Sequence, residues 1–272
     1  MHVVDNASGD GTAAMVAREF REVRLTVSAT NSGFGAATNL AIRAGSAPYV
    51  LVINPDARVG AGCLDALLEL LDSRPEVGCA GPLLERPDGG LDHAAKRSFP
   101  TPLGALAHFS GLGRSRLAGE RLAQYRAPSL GPYSAGPVDA VNGAFMLIRR
   151  SALDEVGLFD EGYWMYMEDL DLCYRLARGG WTTWYEPAAR GFHHKAGTSG
   201  PARSPRLDRA FHYGMLRFYR KHYARERSVA FNALVYAGIG VKLASSLAAN
   251  AVRRVRAQSD SDSGGVIPEV AP

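Results

Sequence analysis

The stretch YVLVINPD, residues 49 to 56, decides how the chain is expected to fold. Its first five residues form a continuous apolar run, as required of a strand that is buried on both faces of a parallel sheet. The N-P-D that follows is a turn signal. Helical patterns flank the strand on both sides, over residues 31 to 43 and 62 to 73. Strands that alternate with helices in this way predict an α/β fold with a doubly wound, mostly parallel sheet.

The pattern continues in both directions along the chain. Further predicted elements are a strand over residues 1 to 4, a helix from the following turn to about Phe20, a strand over Val77 to Ala80, a strand over Val138 to Arg149, a helix over Ser151 to Val156 and a strand over Trp181 to Tyr185. Ligands of such sheets bind beyond the carboxyl ends of the strands. Asp5 and Asp56 are each the first acid after a strand, so we expect them to face one crevice. For Asp5, turn chemistry within its own backbone is an equal alternative.

The stretch GYWMYMEDLDLCYRLARGGW, residues 162 to 181, places three acids directly behind a cluster of aromatic side chains. An apolar repeat at helical spacing and a terminal Gly pair predict a helix. Acids in the first turn of a helix complement its dipole, which is the simpler interpretation. It accounts less well for the adjacent Glu168 and Asp169, because bulky side chains in a surface loop usually line a site. We expect Asp171 to be structural, capping the helix or pairing with an Arg.

Three other segments contain residues that bear on chemistry. Gly33-Phe34-Gly35 begins a dinucleotide-binding fingerprint, but Thr38 stands at the position of its last glycine, so the motif is incomplete. What remains is a glycine-rich helix start whose backbone N–H groups could approach a phosphate. Residues 84 to 137 are rich in Pro and Gly, and we assign them no chemistry. The His193-His194 pair follows a predicted strand, as Asp5 and Asp56 do, which favours a site over ordinary polar surface.

Composition and charge narrow the class of protein. The chain has 272 residues with 46% hydrophobic content, and its three cysteines form no CxxC pair, so a globular protein with reduced thiols in the cytoplasm is expected. Residues 203 to 256 hold twelve Arg or Lys against two acids, so a net charge of +10 lies there and −6 in the remainder. Nucleic acid is the weaker partner for this block, because no nucleic-acid-binding motif accompanies it. Anionic lipid and a phosphate-bearing substrate remain as candidate partners of this basic block.

The segment from residue 229 to 251 is long enough to span a bilayer. Lys242 and several Asn and Ser interrupt it, so an interfacial helix or an ordinary packed helix is favoured over a spanning one, with the two alternatives about equal. An interfacial helix would give peripheral contact with an anionic membrane at its inner face. The expected division is a domain over residues 1–200, a basic helical extension over 201–256 and a disordered tail over 257–272.

Five segments together resemble glycosyltransferase family 2, in particular its rhamnosyltransferase-like branch. They are VVDNASGDGT (3–12), NSGFGAATNLAI (31–42), VLVINPDARV (50–59), the stretch from VNGAF to RGGW (141–181) and GFHHKAGTS (191–199). Their order and spacing match the family. The resemblance implies a GT-A fold and an inverting transfer of a sugar, with rhamnose from dTDP-rhamnose suggested by the branch. The acceptor it implies is a cell-wall, polysaccharide or lipid-linked saccharide.

The resemblance also implies roles for individual residues. Asp169 matches the general base, and Asp56 matches the last acid of the motif that holds a divalent metal, Mg²⁺ or Mn²⁺, on the donor diphosphate. His193 matches the third metal ligand, with His194 as the alternate. The implied donor-binding residues are Asp5, Asn6, Gly33, Asn39, Asn54 and Asp56, and the implied acceptor-binding residues are Trp164, Tyr166 and Glu168. Asn54 replaces the first Asp of the metal motif that many members have.

Relatives begin with a further strand and helix ahead of the V-V-D-N motif. The sequence starts at the motif, so we expect either a misassigned start or a truncated relative that lacks a central strand. The alternative function is therefore a non-catalytic, nucleotide-sugar-binding relative.

Overall fold

The structure, a computed structural model, describes residues 1–101, 130–194 and 204–263. The strands are β1 (His2–Asp5), β2 (Arg24–Val27), β3 (Tyr49–Ile53), β4 (Ala57–Val59), β5 (Val77–Glu85), β6 (Lys96–Arg97), β7 (Gly136–Val138), β8 (Ala140–Val141), β9 (Phe145–Arg149) and β10 (Thr182–His193). The helices are α1 (Thr12–Glu19), α2 (Phe34–Arg43), α3 (Cys63–Ser73), α4 (Arg150–Val156), α5 (Glu168–Arg178), α6 (Pro205–His222) and α7 (Val229–Ser263), with a 3₁₀ turn at Ala224–Glu226.

A six-stranded mixed sheet forms the centre of the fold. Its order is β3-β9-β5-β10-β4, and β7 pairs with the other part of β10. The three strands β3, β5 and β10 run in one direction, and β9 runs against its neighbours β3 and β5. Strands β1 and β2 form a separate parallel pair, and β6 pairs with β8. The predicted α/β class is confirmed.

The strand β3 differs from its prediction. It has the expected bounds, but it lies at the edge of the six-stranded sheet and pairs antiparallel with β9. Four of its five side chains are consequently only partly buried. The apolar run remains informative, because Val50 and Val52 pack into the core on one side of the sheet and Leu51 and Ile53 into the core on the other.

The predicted strand Val138 to Arg149 is divided into β7, β8 and β9. A turn at residues 142 to 144 interrupts it, in which the side chain of Asn142 accepts a hydrogen bond from the backbone N–H of Ala144 at 3.0 Å. Asn142-Gly143 within it is a local turn signal, which the prediction of one continuous strand did not use. The turn proves to lie between the two halves of the candidate site.

The predicted strand Trp181 to Tyr185 is longer than expected and becomes β10, which ends at His193. Register shifts occur between Thr182 and Thr183 and between Glu186 and Arg190. The sequence reading placed the strand's end before the second irregularity, since Pro187 is normally a strand breaker.

Two apolar cores lie on opposite sides of the sheet. The first contains the inner face of α5, with Leu170, Cys173 and Leu176, and the second contains Leu67 and Leu71 of α3. The helix α5 thus presents its apolar face to the core, as its sequence spacing predicts. All three cysteines are free and buried.

The helices α6 and α7 form an antiparallel hairpin. Asn232 bonds the hydroxyl of Tyr219 near one end, and Asn250 bonds the carboxylate of Asp208 near the other. Residues Val229–Arg253 of α7 are, by length and composition, apolar enough to cross a membrane, with a mean hydropathy of 1.3. Both asparagines that interrupt this segment bond α6. The helix also continues to Ser263, into the segment predicted to be disordered.

Candidate functional site

Antiparallel pairing of β4 with the end of β10 brings Asp56 and His193 together. Strand β4 begins directly after Asp56, and His193 stands opposite Ala57 in the pairing. The Nε2 atom of His193 lies 3.5 Å from Oδ1 of Asp56, which is too long for a hydrogen bond. This Oδ1 is buried and has no hydrogen-bond partner within the described residues. His193 is buried, whereas His194 is exposed, so His193 is the member of the pair that lies beside Asp56.

Asp92 holds the other side of the His193 ring, and sequence reasoning missed it. Its Oδ2 lies 2.9 Å from Nδ1 of His193, and Nδ2 of Asn142 lies 3.4 Å from the same oxygen. Asp92 is fixed by its own backbone N–H, which donates to the carbonyl of Leu84 at the end of β5. It belongs to the Pro- and Gly-rich region to which no chemistry was assigned. No motif distinguishes it there, because only the tertiary fold brings it to His193.

Two further buried oxygens at strand ends also lack partners within the described part of the chain. Asp5, at the end of β1, accepts a hydrogen bond from the backbone N–H of Ser8 at 3.1 Å through Oδ2, while its Oδ1 is buried and unpartnered. Turn chemistry therefore accounts for one of its oxygens and not for the other. Oδ1 of Asn54, beyond β3, is likewise buried without a partner. Unsatisfied buried polar groups are rare in folded proteins, so their concentration at strand ends indicates a ligand site.

The start of α2 adjoins the aromatic loop that precedes α5. The backbone of Gly33 has φ +94°, and a Cβ there would lie 2.3 Å from the carbonyl oxygen of Trp164. The N–H of Phe34 donates to that same carbonyl at 3.0 Å. Asn6 fixes the preceding loop, because its amide donates to the carbonyl of Gly33 and accepts from the N–H of Ser32. Glycine is required at position 33 both for the positive φ and for the close approach.

Asn39 does not contribute to this crevice. Its side chain is fully buried on α2, donates to the carbonyl of Phe159 at 2.9 Å and to Glu161, and accepts from the N–H of Phe159. The donor-binding role implied for Asn39 finds no support in these contacts. A buried amide whose donors and acceptor are all engaged connects two segments of the fold.

Asp169, in the first turn of α5, is buried and ion-paired. Its Oδ2 accepts from the guanidinium of Arg97 at 2.6 Å and from the backbone N–H of Gly143 at 3.0 Å. Arg97 also donates to the carbonyl of Val141 at 2.8 Å, which aligns it along β8. Like Asp92, Arg97 lies in the region between residues 84 and 137 and was not predicted. Arg97 is positioned by the pairing of β6 with β8, which involves two residues of each strand. Strands this short leave no recognisable pattern in the sequence.

Glu168 precedes Asp169 and differs from it in environment. It is buried, and its Oε2 has no hydrogen-bond partner in the part of the chain that the structure describes. Burial, followed by the neighbouring charge of Asp169, raises the pKa of Glu168 to about 8. Glu168 is therefore largely protonated near neutral pH, whereas its neighbour Asp169 is ion-paired with Arg97.

Asp171 is fully buried in a network of Arg, Lys, His and Tyr side chains. Arg175 donates to it at 2.8 Å, as the sequence predicted for a nearby Arg, and Lys221 and His222 of α6 bind it at 2.8 Å each. Tyr163 adds a hydroxyl at 3.3 Å. Burial alone would raise the pKa of Asp171, but hydrogen bonds from His222 and Lys221 and the charge of Arg175 lower it far below its ordinary value. This acid joins α5 to α6.

The aromatic loop has an unusual backbone and packs against α6. Tyr166 and Met167 have φ +69° and +73°, a left-handed conformation that costs side-chain-bearing residues of the order of 1 kcal/mol each. The ring of Tyr166 meets Phe211 edge to face with centroids 5.8 Å apart, and the guanidinium of Arg206 lies 4.0 Å from the centre of the Trp164 ring. Helix α6 therefore supports the loop that carries both predicted acceptor-side aromatics.

The turn at residues 142 to 144 joins the two acid clusters. The side chain of Asn142 contacts Asp92, which holds His193, and the N–H of Gly143 donates to Asp169. Consecutive residues thus connect the Asp56–His193 pair with the Glu168–Asp169 pair. Such an arrangement can hold a polyanion and its counter-ion at one end and accept a proton at the other.

Comparison with known proteins agrees with this architecture. The profile described as glycosyltransferase like family 2 matches residues 1–209. An N-acetylglucosaminyl-diphospho-decaprenol L-rhamnosyltransferase of Mycobacterium tuberculosis is 38% identical over 222 residues, which cover 78% of this chain and 71% of the relative. Rhamnosyltransferase WbbL of Escherichia coli is 29% identical over 60% of this chain and 61% of its own length.

Among solved structures, the mannosyltransferase PcManGT from Pyrobaculum calidifontis, in complex with GDP-Man and Mn²⁺, superposes with a TM-score of 0.54. The match covers 98% of this chain and 67% of that one at 16% identity, which supports the GT-A fold. The chain belongs to glycosyltransferase family 2.

Proposed function

We propose that this glycosyltransferase moves rhamnose from dTDP-rhamnose, with inversion, to a saccharide carried on a polyprenyl diphosphate. The observation that carries the proposal is the turn at residues 142 to 144, where Asn142 contacts Asp92, the partner of His193, and the N–H of Gly143 donates to Asp169. The donor and the class of acceptor rest on the 38% identical relative, whose name gives both the transferred sugar and a diphospho-decaprenol acceptor. The non-catalytic alternative is not favoured, because the residues for both halves of the reaction are present.

Asp56 and His193 are the residues that would hold a divalent metal. The unpartnered Oδ1 of Asp56 faces Nε2 of His193, while Asp92 engages Nδ1 and leaves Nε2 directed at Asp56. No third His, Cys, Asp or Glu converges with them among the described residues. A metal held by few protein groups completes its shell with substrate phosphate and water. A carboxylate with an imidazole suits Mn²⁺ better than Mg²⁺, and the bound ion would offset the charge of the leaving diphosphate.

Asp169 is the proposed general base. Arg97 and Gly143 fix its Oδ2, so the carboxylate is oriented and the acceptor hydroxyl approaches a group of defined position. The hydroxyl becomes acidic only as its oxygen bonds to the anomeric carbon, so a carboxylate of ordinary basicity is sufficient when geometry is right. The proton passes to Asp169, the new glycosidic bond forms, and the nucleotide diphosphate leaves from the opposite face.

Donor binding is assigned to the residues around the strand ends. Asp5 and Asn54 keep buried oxygens for the nucleotide or the sugar, and Asn6 and Gly33 shape the start of α2. Asn39 is left out, because its amide is used within the fold. Trp164 and Tyr166 are assigned to the acceptor, since aromatic faces suit the C–H surfaces of sugars.

A lipid-linked acceptor gives the hairpin of α6 and α7 a role. The inner face of α7 packs on α6 through Val235 and Ile239, while Leu234, Val241 and Val252 are exposed on its outer face. Lys242 and Arg253 lie among these apolar residues. An apolar face bordered by positive charge fits the surface of an anionic membrane. We therefore place the protein in the cytoplasm with peripheral contact at the inner face of the membrane.

The proposal is tested by a transfer assay on the purified full chain. We expect one deoxyhexose to be transferred from dTDP-rhamnose to N-acetylglucosaminyl-diphospho-polyprenol, and mass spectrometry detects the product. Removal of divalent metal by EDTA should abolish this transfer. Mn²⁺ should restore the reaction. UDP-glucose and GDP-mannose serve as matched donors. Transfer from either of these, with none from dTDP-rhamnose, would contradict the proposed donor.

A further inference from the structure

Glu168 and Asp169 are adjacent, but the fold treats them differently. Asp169 has a cation, Arg97, at 2.6 Å and a backbone N–H donor from Gly143. Glu168 is only 6% exposed, and its Oε2 has no partner within residues 1–101, 130–194 and 204–263. A buried polar atom without a partner is costly, so it is retained where a ligand completes it.

The surroundings of Glu168 favour its protonated form. Asp169 and Arg97 are the charged groups that act on it, and Arg97 is already bonded to Asp169. The start of α2 packs against it through Gly35, and the first turn of that helix contains no acid. Ionised Glu168 would place a negative charge beside the carboxyl group of Asp169, to which Arg97 is already bonded. Burial and this repulsion raise its pKa to about 8.

We propose that Glu168 is a neutral carboxylic acid that donates its O–H hydrogen bond to an oxygen of the acceptor sugar, beside the hydroxyl that Asp169 deprotonates. This inference rests on the proposed function and names a specificity-determining residue of the same site. Glu168 keeps its proton throughout the reaction, and Asp169 alone receives the proton of the attacking hydroxyl. Adjacent carboxyl groups in different environments commonly divide such roles.

The donated hydrogen bond selects among acceptors. An acceptor that places an oxygen opposite Glu168 satisfies the buried O–H, whereas a deoxy analogue leaves it unpaired, and sites of this kind reject the deoxy analogue strongly. A Gln at this position keeps the shape and presents an N–H donor. It therefore reproduces the neutral acid and cannot reproduce a carboxylate.

The variants Glu168→Gln and Glu168→Ala distinguish a neutral acid from a carboxylate at position 168. We expect Gln to retain most of the wild-type kcat/KM near neutral pH, and Ala to lose roughly tenfold to a hundredfold, mainly in acceptor KM. Wild-type transfer should decline above about pH 8, where Glu168 loses its proton, and the Gln variant should lack this decline. Thermal unfolding of each variant checks that it is folded. Loss in Gln equal to that in Ala, or an unchanged alkaline decline in Gln, would overturn the proposal.

Infrared difference spectroscopy provides a readout that does not depend on transfer. A protonated carboxyl band should be present in the wild-type protein at neutral pH, should disappear on raising the pH, and should be missing from Glu168→Gln. A carboxylate at position 168 throughout the neutral range would overturn the proposal even if transfer is normal. Failure of transfer by the wild-type protein would instead contradict the proposed function and leave the infrared result to decide the protonation of Glu168.

Discussion

Two acids of α5, Glu168 and Asp171, lie three residues apart and have opposite environments. Asp171 has four partners in Tyr163, Arg175, Lys221 and His222, and no oxygen of it is left unpaired. Glu168, one helical turn earlier, keeps a buried oxygen without a partner among the residues that the structure describes, as Asp5 and Asp56 do at the strand ends. The difference indicates that Asp171 stabilises the fold, while Glu168, Asp5 and Asp56 each keep an oxygen available to a ligand.

The largest expected effect is on stability and comes from Asp171→Asn. Removal of the charge leaves Arg175, Lys221 and His222 facing one another in a buried site, so we expect a loss of about 3–5 kcal/mol in the free energy of unfolding. Because the folded-state pKa of Asp171 is lowered, its contribution is present at neutral pH and is lost only in strong acid. Denaturant titration measures this loss.

The control for this variant is Asp65→Asn, which alters an exposed acid in the first turn of α3 and should cost less than about 1 kcal/mol. The folded fraction of Asp171→Asn should retain its donor affinity. Equal stability of the two variants would contradict the structural role of Asp171, because Asp171 would then not be holding α5 to α6.

Asp169→Asn should produce the next largest effect, and on catalysis. Asn keeps the shape of the side chain and removes the proton acceptor, so transfer should fall roughly a hundredfold or more while dTDP binding stays nearly constant. Transfer is followed by mass spectrometry and binding by calorimetry. A variant that transfers sugar at near the parent rate would remove Asp169 as the base.

Asp92→Asn tests whether the buried acid that contacts His193 supports the proposed metal site. The carboxylate of Asp92 holds Nδ1 of His193 at 2.9 Å, and loss of such a supporting group weakens metal binding by roughly tenfold to a hundredfold. Titration of Mn²⁺ with dTDP present measures the change. Asp88→Asn, an exposed acid of the same segment, is the matched control. Unchanged Mn²⁺ affinity in Asp92→Asn would separate Asp92 from the metal site.

The smallest expected effect concerns the membrane. Replacing Lys242 and Arg253 by Gln should weaken binding to anionic vesicles by about 1 kcal/mol per charge, with little change for neutral vesicles. Co-sedimentation at low and high salt measures it. Deleting the whole hairpin is not a suitable test, because Phe218 of α6 belongs to the main core. Equal binding of the variant and the parent to anionic vesicles would favour a helix that is only packed.

The sequence predicted the elements that carry strong periodicity. The strand at residues 49 to 53, the helix from Glu168 and the placement of Asp5 and Asp56 after strands followed from apolar spacing and turn residues. Asp92 and Arg97 could not be found in this way. Each reaches the site from an irregular segment, and its partner lies far along the chain, 101 residues away for Asp92 and 72 for Arg97.

The break in the strand predicted over Val138 to Arg149 has a different cause. The dipeptide Asn142-Gly143 is a local turn signal within an otherwise apolar stretch, and contacts with Asp92 and Asp169 hold the turn. The edge position of β3, in contrast, is a property of strand pairing, which periodicity does not encode.

The most direct test of a donor and metal site at Asp56 is the shift in melting temperature caused by saturating dTDP with Mn²⁺. Ligand at about a hundred times its Kd stabilises a folded protein by about 2.7 kcal/mol, so the shift is measurable by calorimetry. We expect the shift in the wild-type protein and in Asp171→Asn, although the latter starts from a lower melting temperature, and no Mn²⁺-dependent shift in Asp56→Asn. A full Mn²⁺-dependent shift in Asp56→Asn would contradict the assignment of the metal and the donor diphosphate to the unpartnered carboxylate at the end of β3.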